Sequence, residues 1–461
     1  MNKKIIGFVF SFVFVLLLSA TVKAETFFAY LNGAQEVPAA STNATGYARI
    51  SLNETAGTIS FTVVFRNLSS AQQASHIHAP AAIGANTGVI ITLGSVGGTS
   101  GTITGSAAIT PTQIAQLRAH QGYVNVHSVN FPGGEIRGQI GNRRPVDFDG
   151  DGRTDYSVLR FPNVAPPGVA PIQFYNLTST NGFESVAYGN ANTDFPAPGD
   201  FDGDGEDDYS LYRDGANPGD QSAFFIIKSS DFTLQYYAWG VRGDQAVTRD
   251  YDGDGITDVA VFRRGAAQGN QAFWFIRQSA TNTARIERFG TTGDTAGGTS
   301  GDTPIPGDYD GDGKFDLAVY RFGTIAPTNT YIIRRSSDNA VTYQQFGNFQ
   351  TDYILPGDYD GDGKFDLAVG RTGAAATSPF QWIVRRSSDN SVTYYTFGIS
   401  SDLPTQGDYD GDGRTDYSIY RRGATASSQS FFWVRNSLDG SIKPTPWGLQ
   451  ADFPVNTFDA R

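Results

Sequence analysis

The chain has 461 residues, a formal net charge of −12, 39% hydrophobic residues and no cysteine. The missing cysteine excludes disulfides, thiolate metal centres and a lipid-modified cysteine after an export signal. The acidity argues against a nucleic-acid partner.

The first 24 residues read as a signal peptide: Lys3 and Lys4, an apolar run from Ile5 to Leu18, then Val22-Lys23-Ala24 as a small-residue cleavage site. The run is short for a membrane span and no second one follows, so the mature chain is expected to have no integral membrane span. It is expected to be secreted, at the cell surface, free in the extracellular medium or in a periplasm. Cleavage removes three lysines and no acids, moving the net charge from −12 to −15.

Residues 25–141 form a first β-rich domain of short alternating strands, including one over Gly57–Phe65. One helix start is well signalled, with Thr110 as N-cap, Pro111 at the first position and Gln113 completing a capping box. Strands over Tyr123–Ser128 and Glu135–Ile140 flank the turn Asn130-Phe-Pro-Gly-Gly134. All four histidines lie here: His76, His78, His120 and His127. His76 and His78 share one face of a strand. With His127 they could hold copper or zinc; the alternative is that they are hydrogen-bonded strand residues shaping the core.

After a linker at 142–146, residues 147–461 repeat one nine-residue loop, Asp-x-Asp-Gly-Asp-Gly-x-x-Asp, six times. Carboxylates at positions 1, 3, 5 and 9 and a backbone carbonyl at position 7 can wrap a hard cation that takes about six to eight oxygens, and calcium is the expected ion. In the first loop the ligands would be Asp147, Asp149, Asp151, the Arg153 carbonyl and Asp155; in the second, Asp200, Asp202, Asp204, the Glu206 carbonyl and Asp208. The third has Asp250, Asp252, Asp254, the Ile256 carbonyl and Asp258, and the fourth Asp308, Asp310, Asp312, the Lys314 carbonyl and Asp316. The fifth offers Asp358, Asp360, Asp362, the Lys364 carbonyl and Asp366, and the sixth Asp408, Asp410, Asp412, the Arg414 carbonyl and Asp416. Glycine at position 6, Gly152 in the first loop, permits the sharp reversal. About six calcium ions would bring the mature charge to about −3, so the acidity is mostly ligand charge.

The loops recur every 50 to 58 residues, the period of a propeller blade or similar array. Short runs follow each loop, as at Leu317–Arg321, Tyr331–Arg335 and Val341–Phe346, and a fourth leads into the next loop. Four antiparallel strands per unit make a β-propeller blade. The last residues, ADFPVNTFDAR, echo TDFPAPGDFDG ahead of the second loop, but no seventh loop follows. Six blades are therefore expected, with Ala451–Asp459 completing the first blade so that no sheet edge stays open; a seven-blade count is the alternative.

LNGAQEVPA, SHIHAPAAIGANTGVI and YVNVHSVNFPGGEIRGQI occur in order in the first domain. They resemble the chordin-type CHRD domain, implying a β-sandwich or barrel-like fold. The His-x-His strand is also similar to that of copper-zinc superoxide dismutases, without their full ligand set. The second domain resembles the FG-GAP and VCBS calcium-binding propellers, such as the integrin α-chain head. EF-hands use similar loops but need a bidentate glutamate at position 12, where the first loop has Val158. The propeller resemblance implies extracellular recognition or adhesion, with a glycan or protein ligand, rather than catalysis.

The propeller region has no histidine or cysteine, so the usual bases and nucleophiles are missing and no enzyme is expected. The alternatives are a carbohydrate-active enzyme, either lyase or hydrolase, and a metal-dependent oxidoreductase in the histidine-bearing domain. Arg242-Gly243-Asp244 spells an integrin-binding tripeptide, but Asp244 falls at a repeat position. Trp274, Trp382 and Trp433 recur in one strand of their blades, as core or as sugar-stacking platforms. Arg277, Arg335, Arg385 and Arg435 follow these strands and are candidate partners of the acidic loops.

Overall fold

The computed structural model describes residues 24–456 apart from 43, 82–83, 119–120, 142–145, 151–152, 163–169, 180, 254, 268, 293–300, 324–328, 349–351 and 412. The leader, most of the linker, Asp151, Gly152, Asp254, Asp412 and His120 therefore lie outside the described residues.

The first domain is one antiparallel sheet of eight strands. Their spatial order is Val89–Thr92, Gln72–His78, Tyr123–Ser128, Ile136–Gly141, Ala24–Asn32, Thr45–Asn53, Thr58–Arg66 and Gly101–Ala108. Period-two alternation sends Ile59, Phe61, Val63 and Phe65 inward from one strand, and the strands together bury one apolar core. The helix, Pro111–Arg118, adds Ile114 and Leu117 to that core. Its capping box forms reciprocally: Gln113 N donates to Thr110 Oγ1 at 3.3 Å and Thr110 N donates to Gln113 Oε1 at 2.8 Å.

The second domain is a propeller of six four-stranded antiparallel sheets. A representative blade runs Asp194–Pro196, the second aspartate loop, Tyr209–Arg213, Gln221–Ile227 and Leu234–Val241. Closure settles the count at six. The strand Phe453–Pro454 pairs antiparallel with Tyr156–Arg160, joining Ile172–Thr178 and Gly182–Tyr188 in the first blade. Apolar side chains fill the space between adjacent blades, as where Phe262 and Trp274 share a cluster with Leu317 and Val319. Trp274 and Trp382 are fully buried, and their Nε1 atoms donate to the carbonyls of Phe289 and Phe397, both at 3.1 Å. They are core residues and cannot stack on sugars. Trp433 is half-buried, with the Arg421 guanidinium 5.7 Å from its ring.

Each blade also carries an arginine thirteen residues after the first aspartate of its loop, facing an aspartate from the strand-one side of the same sheet. The pairs are Arg160–Asp452 (2.7 Å), Arg213–Asp194 (2.6 Å), Arg263–Asp244 (2.7 Å), Arg321–Asp302 (2.8 Å), Arg371–Asp352 (2.8 Å) and Arg421–Asp402 (2.7 Å). In each, the guanidinium reaches both carboxylate oxygens, and the aspartate also accepts a backbone N–H, such as Val241 N on Asp244 at 2.8 Å. Asp244 is thus locked inside the sheet, and the Arg-Gly-Asp triplet has no free acid to offer a receptor. Asp452 brings the far end of the chain onto blade one. Asp452→Ala should lower stability by about 2 kcal/mol, below the roughly 3–5 kcal/mol of a fully buried pair because the arginine keeps some solvent contact. It should also speed unfolding, read by denaturant jumps; an unchanged rate and midpoint would show that the pair does not hold the ring shut.

Candidate metal centres in the aspartate loops

Loops two to six are each built around their first aspartate. Asp308 turns its carboxylate back into the loop, where Oδ1 accepts from Gly311 N (2.7 Å) and Asp312 N (3.2 Å) and Oδ2 from Gly313 N (2.9 Å). Asp358 repeats these contacts with Gly361, Asp362 and Gly363, and Asp200, Asp250 and Asp408 bond the glycines at positions 4 and 6. Two left-handed residues make this reversal possible: Gly311 and Gly313 have φ of 75° and 80°. The need for glycine thus extends from position 6 to position 4 as well.

Position 9 anchors the loop to the blade. Asp316 Oδ2 accepts Tyr309 N (3.0 Å) and Oδ1 accepts Ser336 N (2.6 Å), from the turn after the third strand of the blade. Ser229, Ser279, Ser387 and Ser437 make the same N–H contact with Asp208, Asp258, Asp366 and Asp416, at 2.6 to 2.7 Å. Sequence reasoning missed these serines, although they recur 28 or 29 residues after the start of loops two to six. Ser336 Oγ also donates to position 5, Asp312 Oδ1, at 2.6 Å.

Carboxylate oxygens of positions 1, 3 and 9 lie within 4.8 Å of one another in the first four loops: Asp147, Asp149 and Asp155; Asp200, Asp202 and Asp208; Asp250, Asp252 and Asp258; Asp308, Asp310 and Asp316. Of the described position 5 residues, Asp204 and Asp312 are outside these groups. Burial, and after it repulsion from neighbouring carboxylates, pushes Asp316 up to about 8, Asp258 to about 7 and Asp416 to about 9. Asp308 and Asp358 are raised well above the ordinary carboxylate range for the same reasons. In the fourth loop Asp310 Oδ1 is buried with no hydrogen-bond partner. An all-oxygen donor set, convergent acids that repel one another and an orphaned buried carboxylate oxygen fit a hard divalent cation such as calcium.

The six loops form a closed ring. The position 1 carbonyl of every loop accepts the position 8 N–H of the next: Asp147 from Asp207, Asp200 from Thr257, Asp250 from Phe315, Asp308 from Phe365, Asp358 from Thr415 and Asp408 from Thr154, at 2.6 to 2.9 Å. At five of the junctions the position 7 side chain lies on the position 4 glycine of the preceding loop, as Lys364 does on Gly311 and Arg414 on Gly361. Lys314 Nζ reaches the Asp252 carbonyl at 2.5 Å, so position 7 offers more than its own carbonyl.

The first domain sits on this ring. Gly255 leaves no room for a Cβ because the Phe28 ring would be 2.5 Å away, and a Cβ on Gly205 would meet the Tyr47 ring at 3.0 Å. Arg66 pairs with Glu206 at 3.1 Å. Phe28, Gln139, Ile140 and Gly141 line a cavity together with Gly199, Thr248 and Gly407 of the propeller. The loop-side mouth of the propeller is therefore capped from within the chain.

The remaining sequence candidates fall elsewhere. Arg277 contacts Asn282, Arg335 pairs with Asp338, Arg385 contacts Gln344 and Asn390, and the Arg435 guanidinium lies 4.5 Å from the Tyr395 ring. The strands Gln72–His78 and Tyr123–Ser128 bring His76, His78 and His127 together, with one ring nitrogen from each within 4.8 Å of the others.

Comparison with known proteins agrees with this architecture. Residues 27–140 match the CHRD domain and residues 250–319 match the FG-GAP-like repeat. The chain thus joins a CHRD domain to a six-bladed propeller with FG-GAP-like repeats. No curated protein matches the sequence. Among solved structures, one described as a 6-phosphogluconolactonase from Bacteroides uniformis aligns at 12% identity and a TM-score of 0.36, over 64% of this chain and 84% of that one. The Pyrococcus horikoshii acylaminoacyl peptidase aligns at 9% identity and a TM-score of 0.30, over 93% of this chain and 67% of that one. Among the described residues no helix is long and apolar enough to cross a membrane.

Proposed function

We propose that this is a secreted calcium-dependent recognition protein. Calcium in each aspartate loop stiffens the propeller, and an extracellular glycan or protein binds the propeller without being chemically changed. The observation that supports this most is the linked ring of loops: the convergent acids are cross-braced between blades, as suits structural ions rather than acid–base catalysis. Because the first domain covers the loop side, the ligand would meet the opposite mouth. That mouth carries equivalent turns in several blades, at 214–220, 264–267, 373–378 and 423–428, made of small and polar residues. Such a surface suits a polar partner held by hydrogen bonds more than an apolar one.

The test is a glycan and matrix-protein array probed in calcium and in chelator. Binding that needs calcium and is lost when charged side chains are placed on the 373–378 and 423–428 turns is the expected result. Turnover of a polysaccharide in the same samples would replace recognition with catalysis.

A further inference from the structure

Independently of the calcium loops, we infer that His76, His78 and His127 form a binding site for one divalent late transition-metal ion, with copper(II) preferred over zinc(II). The three imidazoles come from two paired strands, where His76 lies opposite Asn125 and His127 opposite Ala74. His76 Nδ1 is 3.0 Å from His127 Nε2, and the His76 and His78 ring centroids are 5.7 Å apart.

The protons of two of these rings are fixed by their neighbours. His127 Nδ1 lies 2.9 Å from the Pro132 carbonyl and His78 Nδ1 lies 2.9 Å from the Thr87 carbonyl. A carbonyl can only accept, so both Nδ1 atoms carry the hydrogen and both Nε2 atoms present a lone pair. Backbone carbonyls holding the far nitrogen of a ligating histidine are the usual outer support of a metal site, since they set both tautomer and ring angle. Tyr123 stacks on His78 at 4.5 Å and 4°, with the Arg137 guanidinium 3.6 Å from the tyrosine ring centroid, so the ring has little freedom to turn.

The His78 lone pair is the most telling feature. The residue is 8% exposed, and its Nε2 is buried without a hydrogen-bond partner. A buried acceptor left unmade costs stability, and a metal ion would satisfy it. Burial lowers the proton affinity of all three rings, and each imidazole neighbour lowers that of His76 further. Three neutral nitrogen donors with no thiolate suit copper(II) or zinc(II), and the order of divalent affinities puts copper first. The same donors are poor ligands for calcium, so the two classes of site should not exchange ions.

The full chain is stripped with chelator, saturated with calcium to occupy the aspartate loops, and titrated with copper(II) or with zinc(II). One equivalent of copper should bind, with nitrogen hyperfine structure in its electron paramagnetic resonance spectrum, and zinc should bind the same site more weakly. His127→Gln should weaken copper binding by about 100-fold or more while near-ultraviolet circular dichroism stays unchanged. If that variant does not fold, the histidine nitrogen resonances of the unaltered protein give the answer: zinc should shift Nε2 of His78 and His127 and leave their Nδ1 protonated. Copper uptake equal in the variant and the parent, or histidine resonances unmoved by saturating zinc, would overturn the site.

Discussion

In chelator the protein should lose stability as pH rises from about 5 to 9, and in saturating calcium its stability should stay nearly level over the same range. The sign follows from the loop carboxylates. Folding without a cation raises Asp316 and Asp208 to about 8, Asp366 to about 7 and Asp416 to about 9, whereas unfolded aspartates titrate near about 4. The folded metal-free state therefore binds more protons than the unfolded one across that window. Its stability from these groups is fully present below the unfolded value and is lost as pH climbs through the folded values. Calcium abolishes this slope, because it binds the deprotonated loops and displaces those protons, so the gap between the two conditions should widen as pH rises. At a hundredfold excess over its dissociation constant each site adds about 2.7 kcal/mol, so six sites should raise the melting temperature at pH 8 by on the order of 10–20 °C. Melting curves at several pH values in calcium and in chelator measure both slopes; parallel slopes would show that the loops bind no cation.

Asp308→Ala should damage two neighbouring centres, while Asp312→Ala should damage one. The Asp308 carboxylate gathers three backbone N–H groups besides standing among the clustered acids, and its own carbonyl holds Phe365 N of the fifth loop at 2.8 Å. Without the side chain, three N–H groups lose their acceptor and the backbone that carries that carbonyl is no longer held, at a cost of about 3 kcal/mol. Asp312 accepts from Lys314 N and Ser336 Oγ, one backbone N–H against the three that Asp308 gathers. Calorimetric titration should thus show the fourth site abolished and the fifth weakened by Asp308→Ala, but the fourth alone weakened by Asp312→Ala. Lys314→Ala should act backwards, on the third loop, whose Asp252 carbonyl receives its ammonium. Identical calcium isotherms for the three variants would refute the coupling.

How much of this was legible in the sequence depends on the range of each interaction. The period, the loops and the capping box at Thr110 are local, and the structure has them at the expected places. Closure was legible because Asp452-Phe453-Pro454 copies Asp194-Phe195-Pro196, and both segments pair with the arginine-ended strand of a blade. The paired arginine keeps a fixed distance from each loop start, but its partner aspartate lies on another strand, and the arginines one strand later show the same regular spacing while contacting the loops nowhere among the described residues. The ring of position 8 amides was not legible, since it is made of backbone groups that carry no side-chain signature. Nor was the docking of Phe28 and Tyr47 on Gly255 and Gly205, which depends on how two separately patterned domains meet.

A stack of repeats in a line has one junction fewer than it has members, and its two terminal members fray. The aspartate ring has as many junctions as members, because Thr154 N returns to the Asp408 carbonyl at 2.7 Å. Breaking any one junction converts the circle to a line with two ends, and only a second break frees a blade. Loss of a single junction should therefore be buffered, whereas loss of two should release everything between them at once. An inserted or deleted blade would leave the circle unable to meet itself, so this propeller should accept changes within its repeats far more readily than changes in their number.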